Sequence, residues 1–161
     1  MKRVVAAILA PAFDPRLRAC AARLARTTVE RIAVVGPTRA NVFAGMPVVT
    51  LPAGRRPLAT ALGWALRGSC DGVLLVDAAG LELRIDFDAM LARFEHAHAV
   101  ATRHASGIDL PAVIGVPLFG RFVRRAPGVV LATTPGVELV AGLEIAAPRP
   151  VEESNDLVQV A

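Results

Sequence analysis

The sequence predicts a single α/β domain built on a mostly parallel sheet with helices on both faces. Three observations point there. Two apolar runs, residues 4–9 (Val-Val-Ala-Ala-Ile-Leu) and 73–76 (Val-Leu-Leu-Val), are continuous rather than alternating, the pattern of strands covered on both sides. Segments of helical period separate such runs, and strands alternating with helices build parallel sheets. The 161 residues are 54% hydrophobic but only 4% aromatic, so the chain has enough surface to bury a core and must build it from Val, Leu, Ile and Ala.

Residues 4–9 are the first strand. Met1-Lys2-Arg3 ahead of it and Ala10-Pro11-Ala12 behind it imitate a short secretory signal, but the apolar stretch is at the lower limit of length for one. The expectation is a first strand in a cytoplasmic protein. Asp14-Pro15 then offers a capping side chain followed by proline at a first helical position. Leu17, Cys20, Ala21 and Leu24 follow at helical spacing, with the helix ending near Thr27. Residues 31–35 read as a second strand stopped by Gly36-Pro37, and residues 47–51 as a short third. Helical period returns over 57–67, with Leu58, Leu62, Ala65 and Leu66 on one side. Residues 68–72 make a turn, and the strand 73–76 ends at Asp77.

Asp86 caps a helix carrying Met90, Leu91 and Phe94. Residues 99–102 and 112–116 read as strands separated by a loop, and 117–125 as a short helix with Leu118 and Phe122 inward. Residues 128–150 mix β-prone runs with glycine and proline, and a terminal helix spans about 154–160. The pattern shows no internal repeat, low-complexity tract or linker.

Composition excludes several functions. A chain this apolar is not disordered, and charged or turn residues break every apolar run short of the roughly 18 residues a spanning helix needs. Cys20 and Cys70 are too few for a disulfide scaffold and lack metal-ligand spacing. His96 and His98 are two apart and share no helical face, which argues against a metal role for them with His104. The formal charge is +4, and Lys2 is the only lysine beside 17 arginines, a bias associated with GC-rich bacterial genomes. A basic balance suits nucleic acid, acidic surfaces or phosphate-bearing small molecules. The arginines are scattered, paired only at 55-56 and 124-125, and no aromatics interleave with them, which disfavours nucleic acid.

Open α/β sheets bind ligands beyond the carboxyl ends of strands where the winding reverses. Two strand ends therefore matter: the loop from Ala10 to Pro15 and Asp77 after Val76. A carboxylate there suits magnesium, and it equally suits capping the next turn. Both readings stand at this point.

The N-terminal segment resembles the nucleotidyltransferases of the molybdenum-cofactor guanylyltransferase (MobA-like) family. Their signature is a strand running into Leu-Ala-Gly-Gly, then Arg-Met-Gly and a lysine. Here Leu9-Ala10-Pro11-Ala12 follows the strand, Arg16-Leu17-Arg18 falls in the Arg-Met-Gly register, and Ala21 stands where the lysine belongs. Pro57-Leu58-Ala59 is similar to the family's Pro-Leu-Ala segment, and Asp77-Ala78-Ala79 to its Asp-x-Pro metal site. Leu110-Pro111-Ala112-Val113 with Leu118-Phe119 is similar to the Pro-Ala-Val segment and its following helix, and Glu152 to Leu157 to the closing Asp-Thr-Pro-Glu-Asp-Leu.

The resemblance spans nearly the whole chain in order and spacing. It implies a Rossmann-like nucleotidyltransferase fold, with a nucleoside triphosphate and a phosphorylated acceptor such as molybdopterin as substrates and pyrophosphate as leaving group. Nucleotide contacts would fall to Leu9, Ala10, Pro11, Ala12, Arg16 and Leu58, catalysis to Arg16, and Mg2+ to Asp77 and Glu152. No membrane partner is implied, and a homo-oligomer is left open. The departures from the family pattern carry a physical cost. Pro11 has no N–H to offer a phosphate and a fixed φ, Ala12 adds a Cβ where glycine admits close approach, Asp14 adds negative charge, and Ala21 offers no cation. Losing one preorganised contact costs about 3–4 kcal/mol of transition-state stabilisation. The expectation is therefore a nucleotidyltransferase-like protein with impaired or lost catalysis. The alternative is a non-catalytic nucleotide- or cofactor-binding protein, or an oligomeric partner of an active enzyme.

Overall fold

In the computed structural model, which describes residues 1–37, 41–77, 81, 83–141 and 143–144, the N-terminal apolar run becomes β1 (Val4–Leu9), the third strand across a seven-stranded sheet. It pairs in parallel with β2 (Ile32–Val35) on one side and β4 (Gly72–Val76) on the other, with Ala6 opposite Ile32 and Leu74. β3 (Val48–Leu51) extends the parallel set beyond β2. Past β4 lie β7 (Gly107–Gly115), β6 (Ala99–His104) and β8 (Val137–Ala141), in that spatial order. Only β7 runs antiparallel to its neighbours; β6 and β8 are again parallel. The short β5 (Leu83–Arg84) pairs antiparallel with β9 (Leu143–Glu144) away from this sheet.

Side chains alternate across a strand, so each central strand serves two cores. Val4, Ala6 and Ile8 face one layer and Val5 and Ala7 the other, all buried. The first layer is closed by α1 (Leu17–Ala25) through Leu17, Cys20, Ala21 and Leu24, and by α3 (Phe87–Phe94) through Phe87, Met90, Leu91 and Phe94. The second is closed by α2 (Pro57–Arg67), α4 (Phe119–Phe122) and α5 (Pro127–Thr133), with Leu62, Trp64, Phe122 and Leu131 inward. Helices on both faces are what continuous apolar strands require, since each fully buried Leu or Ile contributes about 1.5–3 kcal/mol relative to exposure. Gly72 opens β4 because a Cβ there would lie 2.5 Å from the Phe94 ring and 2.9 Å from the Ile114 carbonyl oxygen.

Four local expectations are corrected. Asp14-Pro15 does not start α1. The Asp14 carboxylate instead accepts the Arg16 N–H at 2.9 Å, its carbonyl accepts the Leu17 N–H at 3.1 Å, and the helix begins at Leu17. The stretch 104–111 is not a loop, because β6 and β7 form a hairpin whose ladder shifts register between Ala101 and Thr102. Pro111 is tolerated in this strand near that irregularity, where ladder N–H groups are already interrupted. Buried Thr102 donates its hydroxyl to the Pro111 carbonyl at 2.6 Å. The single helix expected over 117–125 is a 3-10 turn (Val116–Leu118) running into the four-residue α4, where Phe119 joins Phe122 in the core and half-buried Leu118 packs against it. Finally, residues 127–133 are the helix α5 rather than a β-prone run; Pro127 sits at its start, and packing of Val130 and Leu131 overrides their β preference. The terminal helix expected over about 154–160 lies outside the described residues.

Candidate functional site

The strand order β3-β2-β1-β4 means the chain winds outward from β1 in one direction and then crosses to its other side at β4. This is a switch point, and a crevice at the carboxyl ends of the two strands follows from the topology. A pocket of about 380 Å³ lies there, lined by Leu9, Ala10 and Pro11 from the end of β1, Asp77 after β4, Pro57 and Leu58 from α2, Leu110 of β7 and Pro127 of α5. Among the described residues of this lining, half-buried Asp77 is the only charged one. The walls are otherwise apolar, so they suit a ring or sugar face more than a bare polyanion.

The structure thus brings together Leu9, Ala10, Pro11, Leu58 and Asp77 from three elements far apart in the chain. Ala12 and Arg16 are exposed and stand outside the lining, and Glu152 lies outside the described residues. Among the described lining residues, Pro57 and Leu110 fell in motif segments without being given a site role, and Pro127 was not singled out at all. Pro127 carried a usable signal, proline at a first helical position, which the valines after it obscured.

Two positions at the start of the loop after β1 offer no N–H to a ligand. That of Ala10 is committed to the Val35 carbonyl at 2.9 Å, and Pro11 has none. Beside it, Gly36 has φ of +143°, and a Cβ there would lie 1.8 Å from the Ala10 carbonyl oxygen. The ends of β1 and β2 therefore touch backbone to backbone, which only glycine permits. Further along, the Arg16 and Leu17 N–H groups are taken by Asp14.

Asp14 also holds the Arg16 guanidinium, through Nε at 2.9 Å and Nη2 at 2.5 Å. The Arg16 side-chain hydrogen bond and its backbone N–H together pull the Asp14 carboxyl from 3.8 down to about 2. A phosphate that engaged Arg16 would have to compete with this carboxylate. Ala21 faces the core and is fully buried on α1, so a side chain there does not reach the pocket. Among the described residues no group of three or more His, Cys, Asp and Glu side chains could hold a metal ion. Nor is any described helix long and apolar enough to cross a membrane.

No protein-family model matches the chain, and no curated protein matches it by sequence. Its fold does match solved structures. Rv0371c from Mycobacterium tuberculosis H37Rv superposes with a TM-score of 0.59 at 15% identity, over 85% of this chain and 87% of its own. The same protein in complex with manganese gives 0.57 at 15% identity, over 86% and 88%. The 2-C-methyl-D-erythritol 4-phosphate cytidylyltransferase from Thermus thermophilus gives 0.53 at 15% identity, over 88% and 92%. The bifunctional IspDF from Campylobacter jejuni gives 0.64 at 12% identity, over 87% of this chain and 50% of that one. At these identities the likeness is one of fold: the chain has the α/β, mostly parallel architecture of cytidylyltransferase structures.

Proposed function

We propose that this is a nucleotidyltransferase-like protein of the molybdenum-cofactor guanylyltransferase type, acting in the cytoplasm. It takes a nucleoside triphosphate in the pocket at the ends of β1 and β4, and its transfer to a phosphorylated acceptor is impaired or lost. The observation that carries the reading is the meeting of Asp77 with Leu9, Ala10, Pro11 and Leu58 in one pocket at the switch point. Base and ribose would lie against Leu9, Pro11, Leu58 and Leu110, with the phosphates toward Asp77.

A divalent ion fits this donor set in one way only. Magnesium is held by one or two carboxylates together with substrate phosphates, and Asp77 supplies such a carboxylate; manganese, bound in the Rv0371c complex, favours the same oxygen ligands. Glu152 is the proposed second carboxylate. When bound, the ion would neutralise phosphate charge and steady the leaving pyrophosphate.

In the family's reaction an acceptor phosphate oxygen bonds to the α-phosphorus, the bond to the β-phosphate breaks, and pyrophosphate departs. This chain supplies little to stabilise that charge. The Ala10 N–H is spent on Val35, Pro11 lacks one, and Arg16 is held by Asp14. Each missing donor costs about 3–4 kcal/mol of transition-state stabilisation. These same observations favour the second reading, a non-catalytic nucleotide- or cofactor-binding protein. The test is a titration of each nucleoside triphosphate, with and without Mg2+ or Mn2+, followed by melting temperature, alongside pyrophosphate release with molybdopterin. Stabilisation without pyrophosphate release is the expected result. Failure of every triphosphate to stabilise the protein with either metal would overturn the nucleotide reading, and rapid pyrophosphate release would overturn the loss of catalysis.

A further inference from the structure

Beside the switch-point pocket lies a second groove of about 600 Å³ that shares Pro57, Leu58 and Pro127 with it. Arg56 enters this groove from the start of α2, and Arg124 and Arg125 from the turn between α4 and α5. Arg124 and Arg125, with Arg121, also line an adjoining recess of about 440 Å³. Among the described residues no acidic side chain lines either space.

These arginines differ from the cations elsewhere on the surface. Arg3 pairs with Glu30, Arg16 with Asp14, and Arg18, Arg23 and Arg93 donate to the carbonyls of Val42, Ile85 and Leu139. The side chains of Arg56, Arg121, Arg124 and Arg125 make no hydrogen bond or ion pair among the described residues. The side chains of Arg26, Arg55, Arg67 and Arg103 are likewise unpaired there, but none of these pockets gathers them. Holding several guanidinium groups together without a counter-charge is unfavourable, and a phosphate accepting bidentate hydrogen bonds relieves it. The groove is concave and within the size range of small-ligand sites. The chain has no tyrosine, and Trp64 and Phe122 are buried, so the groove lacks the stacking platform that single-stranded nucleic acid uses.

We propose that Arg56, Arg124 and Arg125 form a phosphate-binding site for a small phosphorylated ligand, seated next to the switch-point pocket. That this ligand is the co-substrate of a bound nucleotide rests on the function proposed above; the anion site itself does not. The contiguity through Pro57, Leu58 and Pro127 lets both sites be filled at once.

At 16.9 kDa the protein suits site-resolved NMR, which separates the two questions. Titration with glycerol 3-phosphate should give saturable amide shifts at residues 56, 58, 59 and 121–125, and glycerol should give none. Titration with nucleoside triphosphate and Mn2+-free Mg2+ should shift residues 9, 10 and 77 whether or not the arginines are intact. Replacing Arg124→Ala and Arg125→Ala together should weaken glycerol 3-phosphate binding by about tenfold or more, whereas Arg26→Ala with Arg67→Ala should leave it unchanged. Equal weakening by the two double variants would reduce the effect to net charge and overturn the proposal. So would the absence of saturable shifts with glycerol 3-phosphate, or a single-stranded RNA at physiological salt binding the groove more tightly than the phosphomonoester. If the phosphomonoester binds at the arginines and no nucleotide shifts residues 9 and 10, the anion site stands and the nucleotide reading falls.

Discussion

Asp14 and Arg16 face each other across Pro15 at the mouth of α1, and the pair contributes to stability with a definite pH signature. The Arg16 side chain and backbone N–H lower the Asp14 carboxyl from 3.8 to about 2, so the folded state favours the carboxylate. The contribution is therefore fully present above pH 3.8 and is lost as pH falls through about 2. Arg16 is half-exposed, which limits the pair to about 0.2–1 kcal/mol. Arg16→Ala should lower the urea midpoint at pH 6 slightly and by a clearly smaller amount at pH 2, measured by circular dichroism. An equal deficit at both pH values would assign the loss to packing instead. Asp77 is the second residue whose role a single change can isolate. Asp77→Asn keeps size and polarity and removes charge, so it should abolish metal-dependent stabilisation by nucleotide and leave the ligand-free melting temperature nearly unchanged. A large fall in the ligand-free protein would identify Asp77 as a structural cap.

Elements meet at the site through backbone as much as through side chains. Gly36 ends β2 with positive φ against the Ala10 carbonyl, so Gly36→Ala must separate the ends of β1 and β2 or strain both. Denaturant unfolding should show a loss of roughly 2–4 kcal/mol, accompanied by altered amide shifts at residues 9 and 10. A near-neutral result would mean the two loops can part freely, and the commitment of the Ala10 N–H would lose its weight. α3 offers the contrasting case of a local device. Asp86 accepts the Ala89 N–H at 3.0 Å, so Asp86→Ala should cost about 1 kcal/mol with no change in ligand binding.

At the scale of the whole molecule, two apolar layers cover the seven-stranded sheet, and the candidate pocket lies at the carboxyl ends of β1 and β4. Ligand that binds only the folded state stabilises it by about 2.7 kcal/mol at a hundred times its dissociation constant. For a chain of this size that corresponds to about 2–4 °C in melting temperature per kcal/mol. Because Asp77 is the only carboxylate among the described pocket residues, Mg2+ or Mn2+ alone should leave the melting temperature unchanged, and the ion should act only together with a triphosphate. Stabilisation by the metal alone at low millimolar concentration would require a donor set beyond the one the pocket presents.

The sequence by itself determined the parallel half of the sheet and the placement of Asp77. Strands buried on both faces leave continuous apolar runs, as at Val4–Leu9 and Gly72–Val76, and ligands gather at the ends of such strands. The extents of α2 and α3 were legible too, since a helix with one buried face writes a period of 3.6 into the chain, although on α2 Leu66, expected on the inner face, is exposed and Ala61 and Trp64 are buried. Only the tertiary structure decided that 104–111 pairs within a hairpin, that 127–133 is helical, and that Leu110 and Pro127 complete the pocket. The same holds for the Ala10 N–H spent on Val35, for Asp14 turning toward Arg16, and for Arg56 sharing a groove with Arg124 and Arg125. The physical reason is range. Burial on a regular element repeats along the chain and can be read from it, whereas these contacts join segments whose local patterns carry no record of each other.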